Sequence, residues 1–251
     1  RQKTQENLTV SADFFERSSN RKLNVLGGEP SLHPQFDVML EYLLARGFIV
    51  HVFTNGMWPD KMRDSVAHLV KRRRLTRRDL KFIVNVNEDK YRALGETRQQ
   101  GRTFDAFNEF CTLSFNIFES DCELEFLAKM IVENRLLPEI RMGLASPVDG
   151  KDNSFMDVSE YPKIARKISM FSDLCQDIGI DIVLDCGFPL CMFSDYEIGK
   201  LYKNKTQLKF VCRPIPDIDP ELNVTHCYPL SGYFPQKLTN FRDLEEVRSY
   251  F

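Results

Sequence analysis

The chain has 251 residues, 43% of them apolar and 28% charged, with a net charge near −2. That length allows one large core, or one core with a small appendage, and the balanced charge excludes a protein that holds nucleic acid or membrane by bulk electrostatics. No apolar run reaches the roughly 18–20 residues of a membrane span and no signal-peptide pattern opens the chain, so it reads as cytoplasmic.

Leu8–Arg17 has helical spacing, and Lys22–Leu26 reads as a short strand. From Gln35 the apolar residues Phe36, Met39, Leu40, Leu43 and Leu44 recur at helical intervals, with Pro34 suited to the start and Gly47 to the cap. Phe48–Phe53 is a near-continuous apolar strand, the pattern of a strand buried on both faces. Strand, helix and strand within about 30 residues make a βαβ unit. The alternation continues with a helix at Asp60–Arg73, a strand at Lys81–Val86, helices at Arg102–Phe118 and Leu124–Asn134, and a strand at Glu139–Ser146. A helix at Tyr161–Ile178 and a strand at Ile180–Cys186 close the series. Five strands alternating with helices predict a mostly parallel α/β sheet, whose ligands bind beyond the C-terminal strand ends. The basic run Lys71–Arg78 is expected to be a solvated helix end, favoured there by the helix dipole.

After Cys186 the pattern changes. Residues 208–230 have the proline punctuation and alternation of a hairpin, with the turn near Asp217–Leu222, and residues 240–251 read as a short closing helix. The expected organisation is therefore a main unit at 1–185 and a small unit at 186–251.

Three features carry chemistry. The first strand runs into Gly27-Gly28-Glu29-Pro30. Two glycines let a backbone come close to a ligand, and a carboxylate beside them suits a cationic one. The second strand ends in Thr54-Asn55-Gly56 at the same edge, offering a hydroxyl and an amide. Third, four of the seven cysteines, Cys186, Cys191, Cys212 and Cys227, crowd the end of the chain. A chain of this size with so few cysteines is no disulfide scaffold, and these four, on a strand end, a loop and a hairpin, are candidates to converge on one metal centre. Zinc sites more often show tight Cys-x2-Cys knuckles, and the looser spacing suits an iron–sulfur cubane; both metals stay open.

The run LGGEPSLHP at 26–34, followed by VFTNG at 52–56 and the four late cysteines, resembles the radical S-adenosylmethionine (SAM) superfamily with a twitch or SPASM-like auxiliary-cluster extension. The resemblance implies a partial (β/α)6 TIM-like barrel with a small cysteine-rich β-hairpin domain behind it. It implies that Gly27, Gly28, Glu29 and Pro30 receive the SAM amino group, with Thr54 and Asn55 nearby. Asn85 or Asn87 would reach its ribose or carboxylate, and Arg141 is a further carboxylate candidate. Cys186, Cys191, Cys212 and Cys227 would hold an auxiliary [4Fe–4S] cluster. The implied activity is reductive cleavage of SAM to a 5′-deoxyadenosyl radical, which takes a hydrogen from a peptide or a small-molecule substrate. The electron would come from a flavodoxin- or ferredoxin-type donor, and a peptide substrate would call for a recognition module outside this chain. The family's Cys-x3-Cys-x2-Cys, which holds the SAM-cleaving [4Fe–4S] cluster, does not occur in the sequence. It is expected upstream of Arg1, together with a first strand, and the chain as written should not cleave SAM. The alternative is a degenerate, non-catalytic barrel serving as a metal-containing binding or scaffold protein. No catalytic base or radical-relay residue is identified; Cys111 and Cys122 are read as buried helix cysteines.

Overall fold

A computed structural model of the chain describes residues 2–148, 150, 152–209, 215–230, 232–233 and 235–251. Seven parallel strands, each hydrogen-bonded to the next in chain order, form one sheet curled into part of a barrel. They are β1 (Lys22–Val25), β2 (Ile49–Thr54), β3 (Leu80–Asn85), β4 (Cys111–Ile117), β5 (Glu139–Leu144), β6 (Asp181–Leu184) and β7 (Gln207–Leu208). The intervening helices are α2 (Phe36–Ala45), α3 (Asp60–Arg73), α4 (Glu96–Phe107), α5 (Glu125–Asn134), α6 (Tyr161–Asp177) and α7 (Asp195–Lys203), while α1 (Gln5–Arg17) precedes β1.

Period-two alternation decides which residues face the helices. Val50, Val52 and Thr54 of β2, Leu113, Phe115 and Ile117 of β4, and Ile140, Met142 and Leu144 of β5 are buried. An aromatic knot lies in this core: Trp58, fully buried, meets Phe36, Phe82 and Phe107 at centroid distances of 5.7, 5.0 and 5.4 Å. The opposite face of the sheet is only half covered. Strand β2 is thus not buried on both faces as its composition predicts: Ile49 is 40% exposed, and His51 and Phe53 are half-buried. An incompletely closed barrel leaves that concave side open to a ligand or to water.

The segment expected to be one helix at Arg102–Phe118 is split: α4 ends at Phe107, a single 3-10 turn spans Asn108–Phe110, and β4 begins at Cys111. Phe104, Phe107 and Phe110 continue the helical interval and mask the point where Cys111, Leu113, Phe115 and Ile117 switch to alternation. The sheet therefore has seven strands, not five. The second extra strand, β7, is only two residues long, and the helix before it is fixed by a capping box between Ser194 and Glu197.

Beyond β7 lies a three-stranded antiparallel sheet in the order β10 (Gln236–Lys237), β9 (Asn223–Thr225) and β8 (Asp217–Ile218), followed by α8 (Leu244–Tyr250). The hairpin turn spans 219–222, inside the predicted stretch, with β8 taking up that stretch's first two residues. Phe14 of α1 packs with Val224, Leu238, Leu244 and Val247 in a second apolar cluster. The basic run is a solvated helix end as read, with Arg72 and Arg73 both reaching Glu41. Among the described residues no helix is long and apolar enough to cross a membrane.

Candidate functional site

The glycine edge is built by backbone that other residues adopt at a cost. Gly27 and Gly28 have φ of 109° and 50°, and a Cβ placed on either would meet nothing within 4 Å. The edge is therefore open, and its conformation is the reason for glycine. Pro30 is buried and starts a 3-10 turn at Pro30–Leu32, for which Glu29 is the cap.

Glu29 is held by protein donors on both oxygens. Its Oε1 accepts from the Ser31 amide at 3.0 Å and from the Thr54 hydroxyl at 2.8 Å, and its Oε2 accepts from the Asn55 amide at 2.7 Å. A carboxylate offers about four acceptor positions. Three are used here, which leaves one for a cationic ligand.

Thr54 is the hub behind this arrangement. While its hydroxyl donates to Glu29, it accepts from the Gly56 amide at 3.0 Å and from the Trp58 indole at 2.7 Å. The aromatic knot in the core thereby orients the carboxylate at the edge. Asn55 turns its Oδ1 back to the Met57 amide at 2.8 Å, and its carbonyl accepts from Gln100 Nε2 at 2.8 Å. Gln100, buried on α4, also donates to the Asn85 carbonyl at 3.3 Å and ties the ends of β2 and β3 together. Gly56 has φ of 74°, and a Cβ there would lie 2.9 Å from Val84 Cγ1 and 3.1 Å from Gln100 Cγ, so both conformation and space require glycine.

Asn85 stands half-buried at the end of β3, and its Oδ1 accepts from Asn116 Nδ2 at 3.4 Å. Asn116 was missed in the sequence because its segment read as a helix; as a strand residue it faces the open side. It occupies space that Gly143 leaves, since a Cβ on Gly143 would lie 2.7 Å from Asn116 Oδ1. Asn87 is exposed beyond the strand end, and its carbonyl accepts from Arg92 Nε at 2.7 Å. Arg141 lies on the same open face but is engaged: it pairs with Asp185 and stacks over the Phe53 ring at 4.7 Å. Lys209 bonds the other Asp185 oxygen at 2.9 Å. Burial pushes the Asp185 carboxyl upward, and Arg141 and Lys209 more than offset it, so it sits below its usual value. The loops that follow β3 and β4 are pinned together, with Lys90 and Tyr91 each 2.6 Å from Glu119.

The cysteines divide into two groups. Cys111 (on β4) and Cys122 (in the loop after it) are buried, but neither lies in a helix as expected; Cys175 is buried on α6. Burial raises all three thiols, Cys122 to about 11 and Cys175 to about 12, which makes them poor ligands and nucleophiles. Cys186 and Cys191 are exposed and Cys227 is half-buried. Cys212 falls outside the described residues. Among the described residues no three Cys, His, Asp or Glu side chains are grouped to hold a metal ion.

No protein-family model matches the chain, and no curated protein matches it in sequence. Solved structures do match. Streptococcus suis SuiB superposes with a TM-score of 0.64 at 14% identity, covering 96% of this chain and 58% of SuiB. Native anSMEcpe with bound AdoMet and the Kp18Cys peptide gives 0.64 at 13% identity, covering 98% of this chain and 72% of that one. Both are radical SAM enzymes. This chain shares the fold of both. The chain spans less than two thirds of the length of SuiB. On this fold, the strand ends that carry Glu29, Thr54, Asn55, Asn85 and Asn116 lie side by side at one edge of the sheet.

Proposed function

We propose that this chain is the core of a radical SAM enzyme and that its glycine–glutamate edge receives the SAM ammonium. The observation that carries the reading is Glu29: a carboxylate fixed by three protein donors, with one acceptor position left, beside an open edge of two left-handed glycines. Support comes from SuiB and anSMEcpe, both of which have structures with bound S-adenosylmethionine. The residues fit the ligand. Glu29 takes the ammonium, Thr54 and Asn55 hold Glu29 in place, and Asn85, Asn116 and the exposed Asn87 offer amides to the polar remainder, with Arg141 available once it leaves Asp185.

When bound, SAM and a reduced iron–sulfur cluster supply a 5′-deoxyadenosyl radical that takes a hydrogen from the substrate. The cysteines for that cluster are not among these 251 residues. An auxiliary cluster on Cys186, Cys191, Cys212 and Cys227, in a twitch or SPASM-like unit at 186–251, belongs to the same proposal and rests on the chemistry of the donors: the buried thiols are unsuited to ligation, and the accessible ones collect in this unit. The described thiols are not drawn together, so no step is assigned to that cluster. A peptide substrate is favoured over a small molecule, because SuiB has been solved with its precursor peptide SuiA and anSMEcpe with the Kp18Cys peptide. The electron donor of this reading is a flavodoxin or ferredoxin.

Titration of SAM into the full-length, anaerobically reconstituted protein tests the edge. Glu29→Gln should weaken binding at least about tenfold, since a charge-assisted contact is lost; equal affinity would refute the assignment. Iron and sulfide per chain test the clusters. About eight irons means two cubanes and supports the enzyme; about four, removed by Cys191→Ala and Cys227→Ala, favours the non-catalytic scaffold instead.

A further inference from the structure

Two apolar clusters among the described residues meet on one helix. Leu8 and Ala12 of α1 belong to the main core, whereas Phe14 belongs to the C-terminal cluster with Val224, Leu238, Leu244 and Val247. Polar contacts hold both ends of α1 to the C-terminal unit. At its start, Asn7 Nδ2 donates to the Pro220 carbonyl at 2.8 Å and Lys3 Nζ to the Asp219 carbonyl at 3.0 Å, both in the turn between β8 and β9. At its end, the Leu244 amide donates to Ser18 Oγ at 3.0 Å. Burial lowers the Lys3 ammonium to about 8 and the Asp219 carboxylate draws it back up, as expected of a side chain enclosed in this junction.

The segment leading into α1 also touches the turn that follows the glycine–glutamate edge. His33 Nδ1 accepts from the Gln35 amide at 3.1 Å, which leaves Nε2 to carry the proton and donate to the Lys3 carbonyl at 3.2 Å. His33 caps the 3-10 turn that Glu29 opens, and the amides of Leu32 and His33 donate to the carbonyls of Glu29 and Pro30 at 3.1 and 3.0 Å. A five-residue segment is thus held at one end by Glu29 on β2 and at the other by His33 on the lead into α1.

We propose that the C-terminal unit positions the SAM-binding edge through α1, by way of Asn7 on its first turn, Lys3 on the segment that leads into it, and His33 on the far end of the Glu29 turn. Asn7 and His33 are positioning residues: neither lies at the open edge, His33 acts through the backbone that carries Glu29, and Asn7 acts one step further back by holding the start of α1 to the Pro220 carbonyl. The inference rests on the reading that this edge takes SAM, and it concerns how a unit some 190 residues away in sequence sets the geometry there.

Hydrogen exchange and SAM titration on the full-length protein test it together, using Asn7→Ala, His33→Phe and His33→Gln. Gln can still donate from its Nε2 to the Lys3 carbonyl and serves as the conservative rescue. Asn7→Ala and His33→Phe should speed exchange of the Leu32, His33 and Asn55 amides about tenfold, leave the Leu113 amide of β4 unchanged, and weaken SAM binding severalfold, with His33→Gln restoring both. Unchanged exchange at Leu32, His33 and Asn55 in both variants overturns the proposal, as does equal acceleration at Leu113, which would mean general loosening. If the parent protein fails to bind SAM, the reading of the edge fails, while the exchange pattern still decides whether the C-terminal unit holds it.

Discussion

Replacing Thr54 with Val keeps the shape of a 4%-exposed side chain and removes only its hydroxyl. Three bonds go with it: the donation to Glu29 and the acceptances from Gly56 and Trp58. The Trp58 side chain is fully buried, so its indole N–H is left without an acceptor in a dry aromatic knot. An orphaned buried donor costs about 1–3 kcal/mol, and the Gly56 amide adds a further part, so Thr54→Val should destabilise by about 2–4 kcal/mol. Thr54→Ser keeps the hydroxyl and loses one buried methyl, about 1 kcal/mol. Urea unfolding of the two variants gives the comparison, and a cycle with Trp58→Phe isolates the pair, with an expected coupling of about 1–2 kcal/mol. SAM titration should show Thr54→Val weaker by about tenfold, because Glu29 loses one of its three anchors. Equal urea midpoints for Val and Ser, with no coupling to Trp58, would refute the idea that the core orients the carboxylate.

Gly56→Ala should cost about 2–3 kcal/mol in urea unfolding, from a left-handed φ and a crowded Cβ, whereas Gly27→Ala should cost less for want of any steric clash. Gly143→Ala should displace Asn116 and weaken SAM binding a few-fold while changing the unfolding free energy by less than about 1 kcal/mol; an unchanged affinity would remove Asn116 from the site. Burial lowers His51 to about 4, assisted by Lys22 and Lys81. The folded state therefore holds His51 neutral, so its share of stability is complete above about pH 6.5 and is lost as pH falls towards 4, about 1–2 kcal/mol after solvent screening. Urea unfolding of both proteins across that window should show wild type losing about 1–2 kcal/mol relative to His51→Gln as pH falls, and curves that keep a constant separation would exclude the effect.

The edge chemistry was legible because it is local. Gly27-Gly28-Glu29-Pro30 and Thr54-Asn55-Gly56 each sit within one strand-to-helix turn, where glycine conformation and side-chain type suffice to mark a ligand edge. The strand at Cys111–Ile117 was not legible, because Phe110 extends a helical interval into it and only pairing with β3 and β5 resolves the ambiguity. With that strand went Asn116, whose place depends on a missing Cβ one strand away. The two residues of β7 carry no periodicity at all; they are a strand only because β6 offers an unpaired edge. Arg141 shows the same limit from the other side: its type and position could be read, but its partners Asp185 and Phe53 come from β6 and β2. What the sequence determined by itself was the alternation of strand and helix and the chemistry at each turn, since both depend on neighbours within a few residues. Tertiary structure alone decided which of those turns share a network, because Thr54 and Glu29, Lys3 and His33, or Asn7 and Pro220 meet only when the sheet curls and α1 is clasped between its two cores.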